Sequence, residues 1–351
     1  MKRKVLLFTS DGMTDPASRI RGYLVARYLS ENGFDTRIFM YESTKTNIFM
    51  RSLHIINDFL IKINVVMKSG KEDLIYIQRG INSLSQFSFI FFLFSKFILG
   101  KKVIYDIDDA LFLKEPFIIN KLIRLSDLVI VGGHELFNYA KKYNENVALI
   151  PTSVDLKRYS LNAFRKGDHV RLGFVGSPST TNYLRLLLNP LGKLAKRYDF
   201  ELRVISSPSY EGYKLFNHLF KNLERKGVKV KLIPWSIQGE FHELQNIDIG
   251  LAPLFDGEWE KYKGGFKVIN YMAAGIPPVA SDVGEHKHII KDGINGFLCK
   301  NDQEWFEKLK KLIEDENLRE KMGMNARKTA EEKYSIEKNA KKLARILFEM
   351  G

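Results

Sequence analysis

Short β-branched and aromatic runs alternate with longer segments of helical period along this chain, and the alternation starts twice. Lys4–Thr9, Asp35–Met40, Asp73–Ile77, Lys102–Tyr105, Leu128–Val131 and Val147–Ile150 read as the strands of a first series. Between the first two, Arg19–Asn32 carries Ile20, Leu24 and Tyr28, with Val25 and Leu29, on one helical side. Gly33 follows as the residue able to take a positive φ where that helix stops. Strands separated by helices cannot pair through hairpins, so the pattern requires parallel sheets covered on both faces.

The series restarts after a polar stretch, Ser160–His169, with strands at Arg171–Val175, Glu201–Ile205, Val228–Ile233, Asp248–Leu251, Pro278–Ser281 and Gly296–Cys299. Gln303–Met350 reads as nearly all helix, interrupted near Gly323 and Tyr334. A chain of 351 residues exceeds what one core usually holds. The fold class is therefore α/β, with two Rossmann-like doubly wound domains, residues 1–160 and 161–334, facing a central cleft. Strand ends and helix N-termini bound such a cleft, and their free N–H groups and helix dipoles favour anions.

Charge agrees with an anionic partner. Lys and Arg number 55 against 41 Asp and Glu, a net +14. The excess is spread along the chain rather than gathered in a tail, and no nucleic-acid-binding motif accompanies it. The lone Cys299 excludes an intramolecular disulfide and a multi-cysteine zinc site, and suits a reducing compartment. No export signal is visible, and the longest uncharged stretch, Gly80–Ser95, is shorter than the roughly 20 residues a spanning helix needs. The expected location is cytoplasmic, with peripheral attachment to the inner face of the cell membrane as a variant.

The most informative segment is YKGGFKVINYMAAGIPPVASDVG, Tyr262–Gly284. Gly264–Gly265 form a turn before a helix, Phe266–Ala274, which ends at Gly275; Pro277–Pro278 then force extended backbone into a short strand. Glycines at a helix start let the main chain approach a phosphate, and Lys263 and Lys267 flank that point. Taken by itself, the segment reads equally as a plain loop–helix–strand unit.

NYMAAGIPPVAS, Asn270–Ser281, resembles the "EAMAAG-P-V" donor motif of retaining GT-B glycosyltransferases, family 4, once called group 1. The fit is best to the branch with "K-x-G-F-K-x-x-x-YMA-x-G-x-P". The resemblance implies a sugar transferred from a nucleotide diphosphate-sugar, with UDP as a candidate nucleotide, to a glycan or lipid-linked acceptor in polysaccharide or lipopolysaccharide biosynthesis. It also implies retention, no active-site metal and no cofactor beyond the donor. Carried over, Gly264, Gly265 and Phe266 would hold the donor diphosphate by backbone, and Asn270 would meet the ribose. The family's paired Glu residues are Tyr262 and Asn270 here.

After the strand at Arg171–Val175, GFVGSPSTTNYLR places Ser177 and Asn182 where many members carry Arg and Lys. Gly176, Ser177 and Thr180 are donor-side candidates at a helix start, and Lys263 and Lys267 are candidates for the missing charge. Trp235 in LIPWS is a candidate for the nucleobase, or an interior aromatic. His288 stands where the family usually has Glu.

The first half resembles the same branch from Ser18 to Asp35, and IPTSVD, Ile150–Asp155, resembles its domain junction. Arg21 beside the Asp11–Gly12 turn is a donor-phosphate candidate and Arg19 an acceptor-side one; either would equally serve a salt bridge. YDIDDA contains Asp106, an acceptor-side candidate, with Asp108 and Asp109. These aspartates mimic a metal-binding Asp-x-Asp, yet the branch shows "YD-x-DDA" here. Asp108 and Asp109, with Lys263 and Lys267, make up the catalytic candidates; helix capping and loop anchoring explain the aspartates as well.

The resemblance also implies that a final helix, residues 335–351, packs back on the first domain. Leu84–Lys102, rich in Phe, and Asn47–Lys68 read either as buried helices or as a surface for an anionic membrane. A non-catalytic nucleotide-sugar binder, or a partner subunit of a glycosyltransferase, is the alternative to an enzyme. A Rossmann oxidoreductase is disfavoured because the first strand lacks G-x-G-x-x-G.

Overall fold

The strand–helix alternation folds, in a computed structural model describing residues 2–42, 47–82, 84–161, 169–207 and 210–350, into two units, each with its own parallel sheet. Most of the polar stretch Ser160–His169, residues 162–168, lies outside the described residues.

Unit 1 gathers Met1–Ser153, Tyr262–Gly264 and Ile336–Gly351. Its strands are β1 (Lys4–Thr9), β2 (Asp35–Met40), β3 (Leu74–Gln78), β4 (Lys102–Ile107), β5 (Leu128–Val131) and β6 (Val147–Leu149), ordered β2-β1-β3-β4-β5-β6. The helices between them are α1 (Val25–Glu31), α2 (Ile48–Met67), α3 (Ser85–Leu93), α4 (Pro116–Leu125) and α5 (His134–Ala140). A π-type segment, Ser18–Leu24, leads into α1. Gly22 sits there because a Cβ would strike Thr9 on β1, and Gly33 closes α1 with φ 98°.

Unit 2 gathers Val154–Lys261 and Gly265–Ser335. It holds β7 (Val170–Val175), β8 (Phe200–Ser206), β9 (Lys229–Pro234), β10 (Ile249–Ala252), β11 (Pro278–Ser281) and β12 (Phe297–Cys299), ordered β12-β11-β10-β7-β8-β9. Its helices are α6 (Leu188–Ala195), α7 (Tyr210–Arg225), α8 (Gly239–Leu244), α9 (Glu258–Lys261), α10 (Phe266–Ala273), α11 (His286–Ile289), α12 (Asp302–Glu314) and α13 (Glu316–Lys333). Val154 belongs to this unit rather than to the first, since its N–H donates to the Tyr334 carbonyl at 2.8 Å.

The last helix, α14 (Ile336–Glu349), lies in unit 1, where Leu343 and Leu347 join the core formed by α1 and the sheet. Phe348 stacks on Phe34 at 4.4 Å between ring centroids. One expected break moves. Gly323 is buried inside α13, and the interruption falls at Asp315, whose carboxylate caps α13 by accepting from Leu318 N–H at 2.9 Å. An Asp that satisfies orphan N–H groups starts a helix more effectively than an interior glycine ends one.

Candidate functional site

In unit 2, α10 is fixed against the sheet by one phenol. Tyr271 Oη accepts from Val175 N–H at 3.0 Å and lies 3.0 and 3.1 Å from the Gly173 and Leu251 carbonyls, so it ties α10 to the ends of both β7 and β10. Glycine is needed beneath it, because a Cβ at Gly250 would run into the Tyr271 ring. Burial keeps the phenol protonated, its pKa raised well above the usual range, and the bonds to Val175 and Leu251 offset part of that rise.

That clamp presents the α10 N-terminus beside the end of β7. Gly265 is the N-cap, in left-handed backbone at φ 68°, and no side chain caps the helix. A Cβ at Gly265 would strike Ile289 of α11, so only glycine fits both the conformation and the space. Phe266 opens the helix, half-buried.

Lys267, one residue on, lays its Nζ over the Phe174 ring, 3.3 Å from the centroid. The same ammonium faces Gly176, where a Cβ would lie 3.2 Å from it and would collide with Thr180 Oγ1. Thr180 donates to the Ser177 carbonyl at 2.9 Å, and the Ser177 and Ser179 hydroxyls are 3.0 Å apart. Gly176, Ser177, Thr180 and Lys267 are thus brought together at the C-terminal end of the central strand. A Lys charge, a bare glycine backbone and hydroxyls form a cradle suited to a phosphate.

His286 is a member that sequence reasoning missed. It is buried beside Lys267, and its Nδ1 donates to the Ser281 carbonyl at 3.1 Å. Burial pushes its pKa down to about 4 against the pull of that carbonyl, and Lys267 adds to the fall. A neutral imidazole keeps Lys267 the local positive charge.

Asn270, expected to meet a ribose, is buried, with both ends of its amide engaged. Tyr159 Oη donates to Oδ1 at 2.6 Å, and Nδ2 donates to Glu240 Oε1 at 3.0 Å. The other carboxylate oxygen of Glu240 accepts from Trp235 Nε1 at 3.1 Å. Trp235 itself is half-buried, and its indole N–H serves to orient Glu240. Glu240 is the second residue missed. Its position on a six-residue helix gives no sequence pattern that separates it from a surface acid.

In unit 1, the salt-bridge alternative holds for Arg21, and its partner is Asp106. Neither reaches out toward a donor or an acceptor, because they are each other's buried partners, Arg21 Nε to Asp106 Oδ1 at 2.8 Å. Arg21 Nη1 also donates to the Ile150 carbonyl at 3.0 Å, and Tyr76 Oη donates to the second oxygen of Asp106. Burial raises the Asp106 pKa, and the Arg21 guanidinium offsets part of that rise. Breaking such a pair would strand a charge in the core.

Asp108 and Asp109 are both held by Arg79, which no sequence signal had marked. Arg79 grips Asp108 in a bidentate pair, 2.5 and 3.1 Å, and its Nη2 also reaches Asp109. Arg79 is the one non-glycine among the described residues with positive φ, 59°, just past β3. Its N–H donates to the Asp106 carbonyl at 2.9 Å, so the strained backbone aims the guanidinium across the strand ends. Burial raises the Asp109 pKa, with Arg79 and then Lys263 drawing it back. Lys263 thus lies in unit 1 within electrostatic reach of Asp109, whereas Lys267 lies in unit 2 at the cradle.

The remaining candidates fall as follows. Gly264 packs in unit 1, where a Cβ would lie 3.4 Å from Thr152 Oγ1. Tyr262 is buried against Phe112, edge-on at 4.9 Å between centroids, an apolar place that a carboxylate would not tolerate. Gly12 is half-buried in a turn whose carbonyl accepts from Asp15 N–H at 3.1 Å. Arg19 is buried, with Nη1 3.4 Å from the Met13 carbonyl, and so braces the same turn.

Two Rossmann-like units with these sheet orders define the GT-B fold. Known structures bear this out: HepE of Anabaena, solved with UDP and glucose, superposes with a TM-score of 0.75 at 16% identity, covering 99% of this chain and 100% of that one. Sucrose-phosphate synthase from Thermosynechococcus elongatus does so with a TM-score of 0.79 at 13% identity, covering 99% of each chain.

Residues 164–329 match the family model of glycosyl transferases group 1, so the phosphate cradle lies inside the matched region. A putative glycosyltransferase, EpsD of Bacillus subtilis, is 30% identical over 125 residues, 34% of this chain and 32% of that protein. The chain spans 32 to 64% of the length of the curated relatives it matches. Together these findings show the GT-B fold and a similarity of residues 164–329 to group 1 glycosyl transferases.

Proposed function

We propose that this protein transfers a sugar from a nucleotide diphosphate-sugar to a glycan or lipid-linked acceptor. The observation that carries the reading is the cradle of Gly176, Ser177, Thr180 and Lys267 beside the uncapped N-terminus of α10. Negative charge grows on a diphosphate as the glycosidic bond breaks. A fixed ammonium and helix N–H groups stabilise it without reorganising, which lowers the barrier. Because the family match covers this half of the chain, the donor end is the better supported one.

UDP-sugars are the first donors to test, given that HepE was solved with UDP and glucose. Retention of configuration, independence from metal, and a role in cell-surface polysaccharide or lipopolysaccharide synthesis at the inner face of the cell membrane complete the reading. The test is a thermal-shift screen of UDP, GDP, ADP and NAD, followed by turnover of the sugar form of the nucleotide that binds, with and without EDTA. Stabilisation by a nucleoside diphosphate and product release are expected. Stabilisation by NAD alone would overturn the reading.

A second reading, a non-catalytic nucleotide-sugar binder or partner subunit, is favoured by Tyr262 and Asn270 standing in place of two carboxylates. Binding with neither transfer nor hydrolysis would select it.

A further inference from the structure

The helices that follow β2, β3 and β4 leave an apolar surface open. The chain steps one way along the sheet from β1 to β2 and the other way in every later connection. Right-handed crossovers therefore put α2, α3 and α4 on one face and α1 on the opposite face. Phe59 of α2 meets Phe87 of α3 edge-on, 5.1 Å between ring centroids, and α3 packs against α4. Their outward sides make one surface.

On α2, Phe49, Leu53, Ile56, Leu60 and Met67 recur at i, i+4, i+7, i+11 and i+18, a single stripe along a helix. All five are exposed, Phe49 by 68%, while Ile55 and Val66 on the other side of the helix are buried. Ile98, in the turn after α3, is 72% exposed and Phe117, at the start of α4, 67%. Leaving that many large apolar groups in water is unfavourable at roughly 25 cal/mol per Å².

Charge on this surface is mostly basic, with Glu115 at the N-cap of α4 the nearby exception. Asp58 is the sole acid of α2, and Lys62 Nζ binds it at 2.8 Å. Neither Ser85–Ile98 nor α4 contains an acid. The exposed charges are basic: Arg51 and Lys68 toward the two ends of α2, Lys121 and Arg124 on α4. Lys121 Nζ stands over the Phe117 ring, 4.3 Å from its centroid. Among the described residues, no helix is long and apolar enough to cross a membrane.

We propose that the outward face of α2, extended by the end of α3 and the start of α4, docks this protein on an anionic lipid bilayer. The stripe enters the boundary between headgroups and acyl chains with α2 lying flat. The basic side chains at its rim reach headgroup phosphates, and the acid of α2, Asp58, is already paired with Lys62. This deepens the transferase reading, on which it rests for its purpose, by naming where an acceptor carried in a membrane is met. Docking itself is measured independently of transfer.

The experiment is vesicle flotation of the full chain, with phosphatidylcholine alone and with phosphatidylcholine–phosphatidylglycerol mixtures, at low and high salt. Recovery with the anionic vesicles is expected to exceed that with neutral ones roughly tenfold or more, and to fall with salt. The double substitution Ile56→Glu and Leu60→Glu, at exposed positions, removes flotation while leaving the UDP thermal shift intact. Arg51→Glu with Lys68→Glu removes the salt-sensitive part. Absence of flotation at low salt, or flotation indifferent to the α2 substitutions, overturns the proposal. So does a dimer in sedimentation equilibrium that the Glu substitutions dissociate without any vesicle binding, which assigns the face to a second copy. Flotation without any nucleotide-induced shift keeps the docking and sinks the transferase reading.

Discussion

Asn270 hands a hydrogen bond to Glu240: Nδ2 lies 3.0 Å from Oε1, inside a buried group completed by Tyr159 and Trp235. Where the resemblance expects a carboxylate on α10, the chain carries an amide there and the carboxylate on α8 instead.

This exchange predicts reciprocal behaviour. Asn270→Glu, which restores the family residue, places two carboxylates against each other in the core and destabilises by about 3 kcal/mol. Glu240→Gln leaves one donor facing another and loses about 1 to 3 kcal/mol. The double variant regains most of the loss. Urea unfolding of the four proteins tests this, and simple addition of the two losses would show that the residues do not act as a pair.

Removal of the cradle charge by Lys267→Ala is expected to weaken UDP binding at least tenfold, roughly 1.4 kcal/mol. Uridine, which has no phosphate, binds the variant as it binds the parent. Calorimetric titration with both ligands measures the difference. Equal losses for the two would place Lys267 at the base rather than at the diphosphate.

Arg79 serves two carboxylates from a left-handed backbone. Arg79→Lys keeps the charge but gives up the bidentate geometry, and a loss of about 1 to 3 kcal/mol in chemical unfolding is expected. Arg79→Gly relaxes the backbone yet loses more, because Asp108 and Asp109 are then left to repel each other. A glycine variant more stable than the lysine one would show that strain outweighs the ion pairs.

His286 predicts a pH dependence with a definite sign. Its folded pKa of about 4 lies below the ordinary 6.5, so the unfolded chain takes up the proton first. The contribution is complete above pH 6.5 and is lost as pH falls toward 4, about 3 kcal/mol in all. His286→Asn, whose amide can still donate to the Ser281 carbonyl, does not titrate. The stability gap between parent and variant therefore changes between about pH 7 and about pH 4.5, as unfolding curves at the two pH values would register. A constant gap would contradict the assignment.

The strand series was legible because period, punctuation and length all agree at each strand; β1, β2, β5 and β11 fall on the residues read from sequence. The turn before α10 was legible for the same kind of reason, since a glycine at a helix start, here Gly265, leaves a local mark. What stayed hidden was partnership across the sheet. Arg21 reads equally as a phosphate ligand or a salt-bridge partner until β4 brings Asp106 to it, and Arg79 reads as any arginine after a strand. Nothing local separates Glu240 from a solvated acid, because its partners lie on other elements. Long-range pairing of charged groups is set by topology, so it becomes visible once the strands have an order.

The placement of α14 has a consequence for the order of events during synthesis. The residues of unit 2 have all been made once Ser335 is reached, whereas the core of unit 1 still lacks Leu343 and Leu347 of α14. The core of unit 1 thus depends on a segment separated in sequence from its sheet by nearly all of unit 2. Removal of α14 would therefore uncover one side of the core of unit 1 while leaving the core of unit 2 whole.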